Sequence, residues 1–124
     1  SALSAEEKEG LKVFVNVGCS VCHTGKWVGG SMFEKAGVVA PWPNQEDQGR
    51  FALTHMEADR MSFKVPSLRN ITRTASYFHD GSAETLEEAV AVMGRTQLGI
   101  ELTREEIGQI VAWMGRLPSS RLRW

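Results

Sequence analysis

Five consecutive residues, Cys19-Ser20-Val21-Cys22-His23, constrain this chain more than any other stretch. Two thiols separated by two residues can each add to one vinyl group of a single porphyrin, and the histidine that follows then lies under the metal. The pattern is the attachment signature of a c-type haem. It makes Cys19 and Cys22 candidate thioether anchors and His23 the candidate proximal ligand. The chain has 2 cysteines in all, so the motif uses every thiol available. Two other readings of a CxxC pair carry less weight. A thioredoxin-like redox pair belongs in a βαβ context, and no such alternation surrounds this one. A zinc site needs further Cys or His at ligand spacing, and no second CxxC or HxxxH occurs.

With 124 residues, the chain is long enough for one core, and residues 1–124 are expected to form a single monohaem domain. A net charge of −1 lacks the basic excess of a nucleic-acid binder. No apolar run approaches the ~20 residues of a membrane span. The opening Ser1-Ala2-Leu3-Ser4 reads as the start of a mature exported chain. Thioether attachment takes place outside the cytoplasm, so a periplasmic or otherwise exported protein is expected.

Three helices announce themselves by their caps. Ser4 with Glu7 is a capping box opening a helix over Ala5–Val17, with Leu11, Phe14 and Val15 at helical spacing and Gly18 as its stop. Gly10, inside that helix, costs ~1 kcal/mol relative to alanine and suggests a close helix crossing. Thr85 with Glu88 reads as a second capping box, opening a helix over Leu86–Met93, which Gly94 is expected to end. Thr103 with Glu106 opens a last helix from Arg104 to about Leu117, with Ile107, Ile110, Val111 and Met114 in its stripe and Pro118 beyond.

Between these lie long irregular stretches. Gly25 to Gly37 reads as loop, with Trp27 and Phe33 as candidate walls of the haem edge. Pro41-Trp42-Pro43 is extended or turn structure. Arg50 to Asp59 has no clean period and reads as loop. Pro66 is expected to open a short helix with Leu68 and Ile71 facing inward. Tyr77-Phe78-His79-Asp80-Gly81 suggests a turn with its aromatics in the core. The tail Arg121-Leu122-Arg123-Trp124 is basic and ends in an aromatic. No segment alternates as a strand does. The expected fold is all-α, helices and long loops wrapped around one covalently bound haem, which also accounts for the loop length.

These residues together resemble the cytochrome c fold: a first helix with Gly10 and Phe14, then CSVCH, then a last helix with IVAWM. More specifically, CHTGKWVGGSMF, DQGRFALT, FKVPSLRNIT, YFHDGSAETLEEAV and VMGRTQLGIELT resemble the C-terminal haem domain of bacterial dihaem cytochrome c peroxidases and their MauG relatives. The resemblance implies that the first and last helices cross at Gly10 against Trp113. It implies Met93 as distal ligand, Arg69 and Gln97 near the haem periphery, and His79 in the segment covering one haem edge. Two departures stand out: there is one CxxCH rather than two, and Ser76 stands where the family has proline.

Side chains able to ligate the iron opposite His23 are Met32, Met56, Met61, Met93, Met114, His55 and His79. Met93 ends a helix, so its thioether can turn outwards; His55, in a loop, is its main rival. A thioether favours ferrous iron, and two filled axial positions leave no room for a small ligand. The leading expectation is therefore a periplasmic electron carrier using a His23/Met93 haem. The alternatives are a small peroxidase or haem subunit of a larger periplasmic redox enzyme, and a gas sensor. A face carrying Trp27, Trp42 and Phe33 is expected to dock a redox partner or a second copy in a homodimer.

Overall fold

The computed structural model describes residues 2–117. Its frame is two helices from opposite ends of the sequence. Helix α1, Ala5–Val17, is opened by the Ser4–Glu7 capping box: the Glu7 N–H donates to the Ser4 hydroxyl at 3.1 Å and the Ser4 N–H donates back to Glu7 at 2.7 Å. It ends at Gly18, in the left-handed conformation (φ 111°). The later helices are numbered in chain order: α3, Leu86–Met93, after the short α2 below, and α4, Arg104–Met114. The Thr103–Glu106 box caps α4 reciprocally, as in α1. Each such cap is worth ~1 kcal/mol.

Helices α1 and α4 cross at Gly10. A Cβ there would lie 1.8 Å from the Gln109 carbonyl oxygen, so only hydrogen fits. The close approach brings Phe14 onto Trp113, with ring centroids 4.7 Å apart and planes tilted by 47°. Phe14, Ile110, Trp113 and Met114 are buried there, joined by Leu86, Ala89 and Val90 of α3. The lost helix propensity of Gly10 is outweighed by this burial, at ~1.5–3 kcal/mol for each large apolar side chain.

Several expectations need correction. A two-stranded antiparallel ribbon is present: β1, Phe33–Lys35, pairs with β2, Ser62–Lys64. Strands of three residues are too short to display a period of two. Within the stretch read as loop, Phe51–Thr54 form one helical turn, α2, followed by a 3₁₀ turn at Glu57–Asp59. Pro66 opens no helix; the turn comes later, a 3₁₀ turn at Ile71–Arg73, although Leu68 is buried as expected. Among the described residues the Thr85–Glu88 box is half made, with only the Glu88 N–H donating to the Thr85 hydroxyl. The α-helix ends at Met93 with Gly94 as its cap, as expected, but Gly94 does not turn the chain away. It keeps right-handed angles (φ −57°, ψ −48°), and the chain runs on through a π-helical turn at Gly94–Leu98 before reversing at Gly99. Helix α4 stops at Met114 rather than Leu117. Pro118 and the tail 121–124 lie outside the described residues.

Candidate functional site

A cavity of about 610 Å³ opens between the helical frame and the loops. A smaller one of about 120 Å³ adjoins it, sharing Cys19, His23, Tyr77 and Met93. The larger is within the ~300–1,000 Å³ of sites that enclose small molecules and cofactors. Its walls are largely apolar: Val21, Val38, Trp42, Phe63, Val65, Pro66, Ile71, Tyr77, Phe78 and Leu98.

Its floor is the CxxCH segment. Gly18 ends α1, and Cys19–Val21 form a 3₁₀ turn that presents both thiols and His23 to the cavity. Both cysteines are free. Burial pushes the Cys19 thiol up to about 11, and burial followed by the Glu34 carboxylate beside it raises that of Cys22. Protonated thiols are the opposite of the activated thiolate of a redox pair. Among the described residues, no three His, Cys, Asp or Glu side chains gather as a metal-ion site. Neither the thioredoxin nor the zinc reading finds support.

His23 is oriented from behind. Its Nδ1 faces the Val28 carbonyl oxygen at 3.3 Å. A carbonyl only accepts, which assigns the proton to Nδ1 and leaves the Nε2 lone pair for a metal. Burial lowers the pKa of His23, partly opposed by the Val28 and Pro66 carbonyls, and so favours the neutral ligand form. The loop behind it is tight. Gly29 has φ 127°, and a Cβ there would lie 2.1 Å from the Pro66 oxygen and 3.1 Å from His23 Nδ1. Val28 itself is left-handed (φ 53°), a strained state of ~1–3 kcal/mol for a β-branched residue. It is fixed by bonds from the Val28 N–H to Gly25 and from the Leu68 N–H to the Val28 carbonyl.

Met93, at the end of α3, lines both cavities; Met114 reaches only the smaller one. Met32, Met56 and Met61 line neither. His55, the rival, is exposed, caps α2 and lies edge-on to Phe51, away from both cavities. Gln97 lines the cavity from the π turn; its oxygen accepts from the Gly37 N–H and its amide donates to the Lys35 carbonyl at 2.7 Å. His79 lines the cavity too, stacked on Phe63 at 4.0 Å between centroids, with Nε2 3.8 Å from Asp47. Arg69 does not. Its guanidinium donates to the Lys26 carbonyl at 2.8 and 3.1 Å, tying down the loop behind His23.

The structure thus gathers Cys19, Cys22, His23, Met93, His79 and Gln97 around one space and leaves Arg69 outside it. Two aromatics expected as walls, Trp27 and Phe33, do not line it and are 40% and 50% exposed. Trp42, expected on an exposed face, is 4% exposed and does line it, as do Phe63 and Phe78. Glu34 and Phe63, opposite each other in the ribbon register, were missed because nothing in the sequence marks the ribbon. A large apolar space holding two adjacent thiols, an imidazole with a free nitrogen and a thioether fits an iron porphyrin.

No protein-family profile matches the chain. It is 48% identical over 122 residues to a cytochrome c551 peroxidase of Nitrosomonas europaea, and 40% identical over 126 residues to one of Pseudomonas aeruginosa. Each alignment covers 98% of this chain and 36% of the relative, so the chain spans about a third of the length of these curated relatives. Among solved structures, a MauG-like protein associated with microbial copper homeostasis superposes with a TM-score of 0.77 at 25% identity, over 94% of this chain and 48% of that one.

Proposed function

Because this chain is a homologue of the cytochrome c peroxidase and MauG proteins and resembles their C-terminal haem domain, we propose that it carries single electrons on one haem c in the periplasm. The observation that carries the reading is the sharing of one apolar cavity by CxxCH and Met93. Cys19 and Cys22 would anchor the haem through thioethers, and His23 and Met93 would hold its iron. When bound, the haem supplies a one-electron ferric–ferrous couple.

The chain's own residues would serve that couple in four ways. The Val28 carbonyl and Gly29 hold the His23 ring in one tautomer and one orientation. The apolar walls keep water from the metal. With His23 and Met93 both bound to the iron, no position would remain for peroxide or oxygen, as a carrier requires and a catalyst does not. His79, Gln97 and, from outside the cavity, Arg69 hold the surrounding loops.

The second reading, a small peroxidase or the haem subunit of a larger periplasmic redox enzyme, is favoured by the names of the relatives. Optical spectra of the oxidised and reduced protein separate the two. A low-spin spectrum with the weak far-red iron–sulfur band, and no peroxide turnover, is expected for the carrier. A high-spin ferric spectrum with peroxide turnover would replace it by the enzyme. A redox partner protein follows from the carrier reading; a homodimer is tested by sedimentation.

A further inference from the structure

Two buried wall residues, Trp42 and Tyr77, carry a side-chain polar group that makes no hydrogen bond among the described residues. Trp42 is 4% exposed and lines the larger cavity. Its ring meets Phe78 edge-on at 4.8 Å between centroids and stacks with His79 at 6.2 Å. Its carbonyl accepts from the Gln45 side chain at 2.6 Å. Among the described residues, its indole N–H makes no hydrogen bond. Yet no side-chain nitrogen or oxygen is both sealed from solvent and unpartnered. The N–H therefore opens onto accessible space, and the space beside Trp42 is the cavity. A buried donor left unpaired costs ~1–3 kcal/mol, so a donor held this rigidly points to an acceptor on whatever fills the cavity.

We infer that Trp42 is the hydrogen-bond donor to a carboxylate of the haem, an inference that rests on the haem reading of the cavity. A haem has an apolar ring and two propionates at its edge, and an indole N–H is a donor only, matched to an ionised carboxylate. Among the buried lining residues, the Tyr77 hydroxyl is the competing donor; Lys35, Lys64, Thr74 and Ser76 are exposed. Tyr77, however, also borders the smaller cavity among Phe14, Leu86 and Val90, where no carboxylate belongs. Trp42 borders only the larger one, beside His79 and Gln97.

The test is the midpoint potential of the intact holoprotein measured across pH, comparing the parent with Trp42→Phe and Tyr77→Phe. A carboxylate that loses its donor holds its charge less compensated near the iron, which favours ferric iron, and its pKa rises. Trp42→Phe is expected to lower the potential and to steepen its dependence on pH, while Tyr77→Phe leaves the slope unchanged. The other charged and titratable groups bordering the cavity are Glu34, Lys35, Lys64 and His79 with its partner Asp47; all are retained in each variant. Should Trp42→Phe not fold, replacing the indole by its sulfur isostere keeps the shape and removes only the N–H. Covalent haem present with an unchanged potential and slope overturns the inference alone. A parent protein without covalent haem overturns the haem reading and the inference with it.

Discussion

The two sides of the cavity are built on different principles. The floor is CxxCH, carried by the α1–α4 pair, which is locked by a backbone-to-backbone crossing at Gly10 and by Phe14 on Trp113. The rim is loops, a two-stranded ribbon and a π turn, held by scattered polar contacts such as Gln97 to Gly37 and Lys35. Packing fixes the floor and individual hydrogen bonds fix the rim. The floor should therefore fail all at once, and the rim piece by piece.

Gly10→Val tests the floor hardest. Overpacking usually costs ~1–3 kcal/mol, and here the obstacle is a backbone carbonyl that cannot move aside, so a loss of ~3 kcal/mol or more is expected in chemical denaturation. Gly108→Ala, on α4 with open space around it, should instead stabilise by up to ~1 kcal/mol. Equal effects of the two would erase the contrast between crossing and surface. Met93→Ala tests whether the rim supplies the ligand: the low-spin spectrum should be lost, while His55→Ala should leave it intact. A low-spin spectrum surviving Met93→Ala would assign the sixth ligand elsewhere.

Gln97→Ala removes two bonds from the rim and should cost ~1–2 kcal/mol, read as a lowered melting temperature with α1 and α4 helicity retained. The smallest effect belongs to Asp80. The Asn44 amide, first among its hydrogen bonds, lowers its pKa from 3.8 to about 2. A depressed folded pKa means that its contribution is fully present above 3.8 and is lost as pH falls through about 2. The group is nearly fully exposed, so solvent screens most of it. Asp80→Asn should slightly flatten the acid limb of the stability curve below pH 3.8 and change nothing at neutral pH.

Legibility in the sequence follows the same division. The starts of α1, α3 and α4 could be read because Ser4, Thr85 and Thr103 cap locally, by bonds spanning three residues. Gly10 marked a close crossing because an interior glycine has so few reasons to exist, and the resemblance to the cytochrome c fold supplied Trp113 as its partner. The rim was opaque because its order comes from partners far apart in sequence. Gln97 meets Lys35 across 62 positions, and Ser67 meets the Trp27 carbonyl across 40. Trp42 and Phe33 were misplaced for the same reason: neither side chain's burial is decided by its neighbours in the chain. Of the site, CxxCH and Met93 were visible as residue types at recognisable positions, whereas Glu34, Phe63 and Trp42 became cavity walls only through the ribbon and loops.

The crossing at Gly10 also has a kinetic side. It joins residues separated by nearly the whole described chain, so everything between them forms one closed loop whose entropy of closure, growing as (3/2)RT ln n, must be met before the contact can repay it. During synthesis the last helix emerges long after Cys19 and Cys22. Until it arrives, neither the Gly10 crossing nor the apolar packing of Ile110 and Met114 beside Cys19 can form, so the first helix waits on the last.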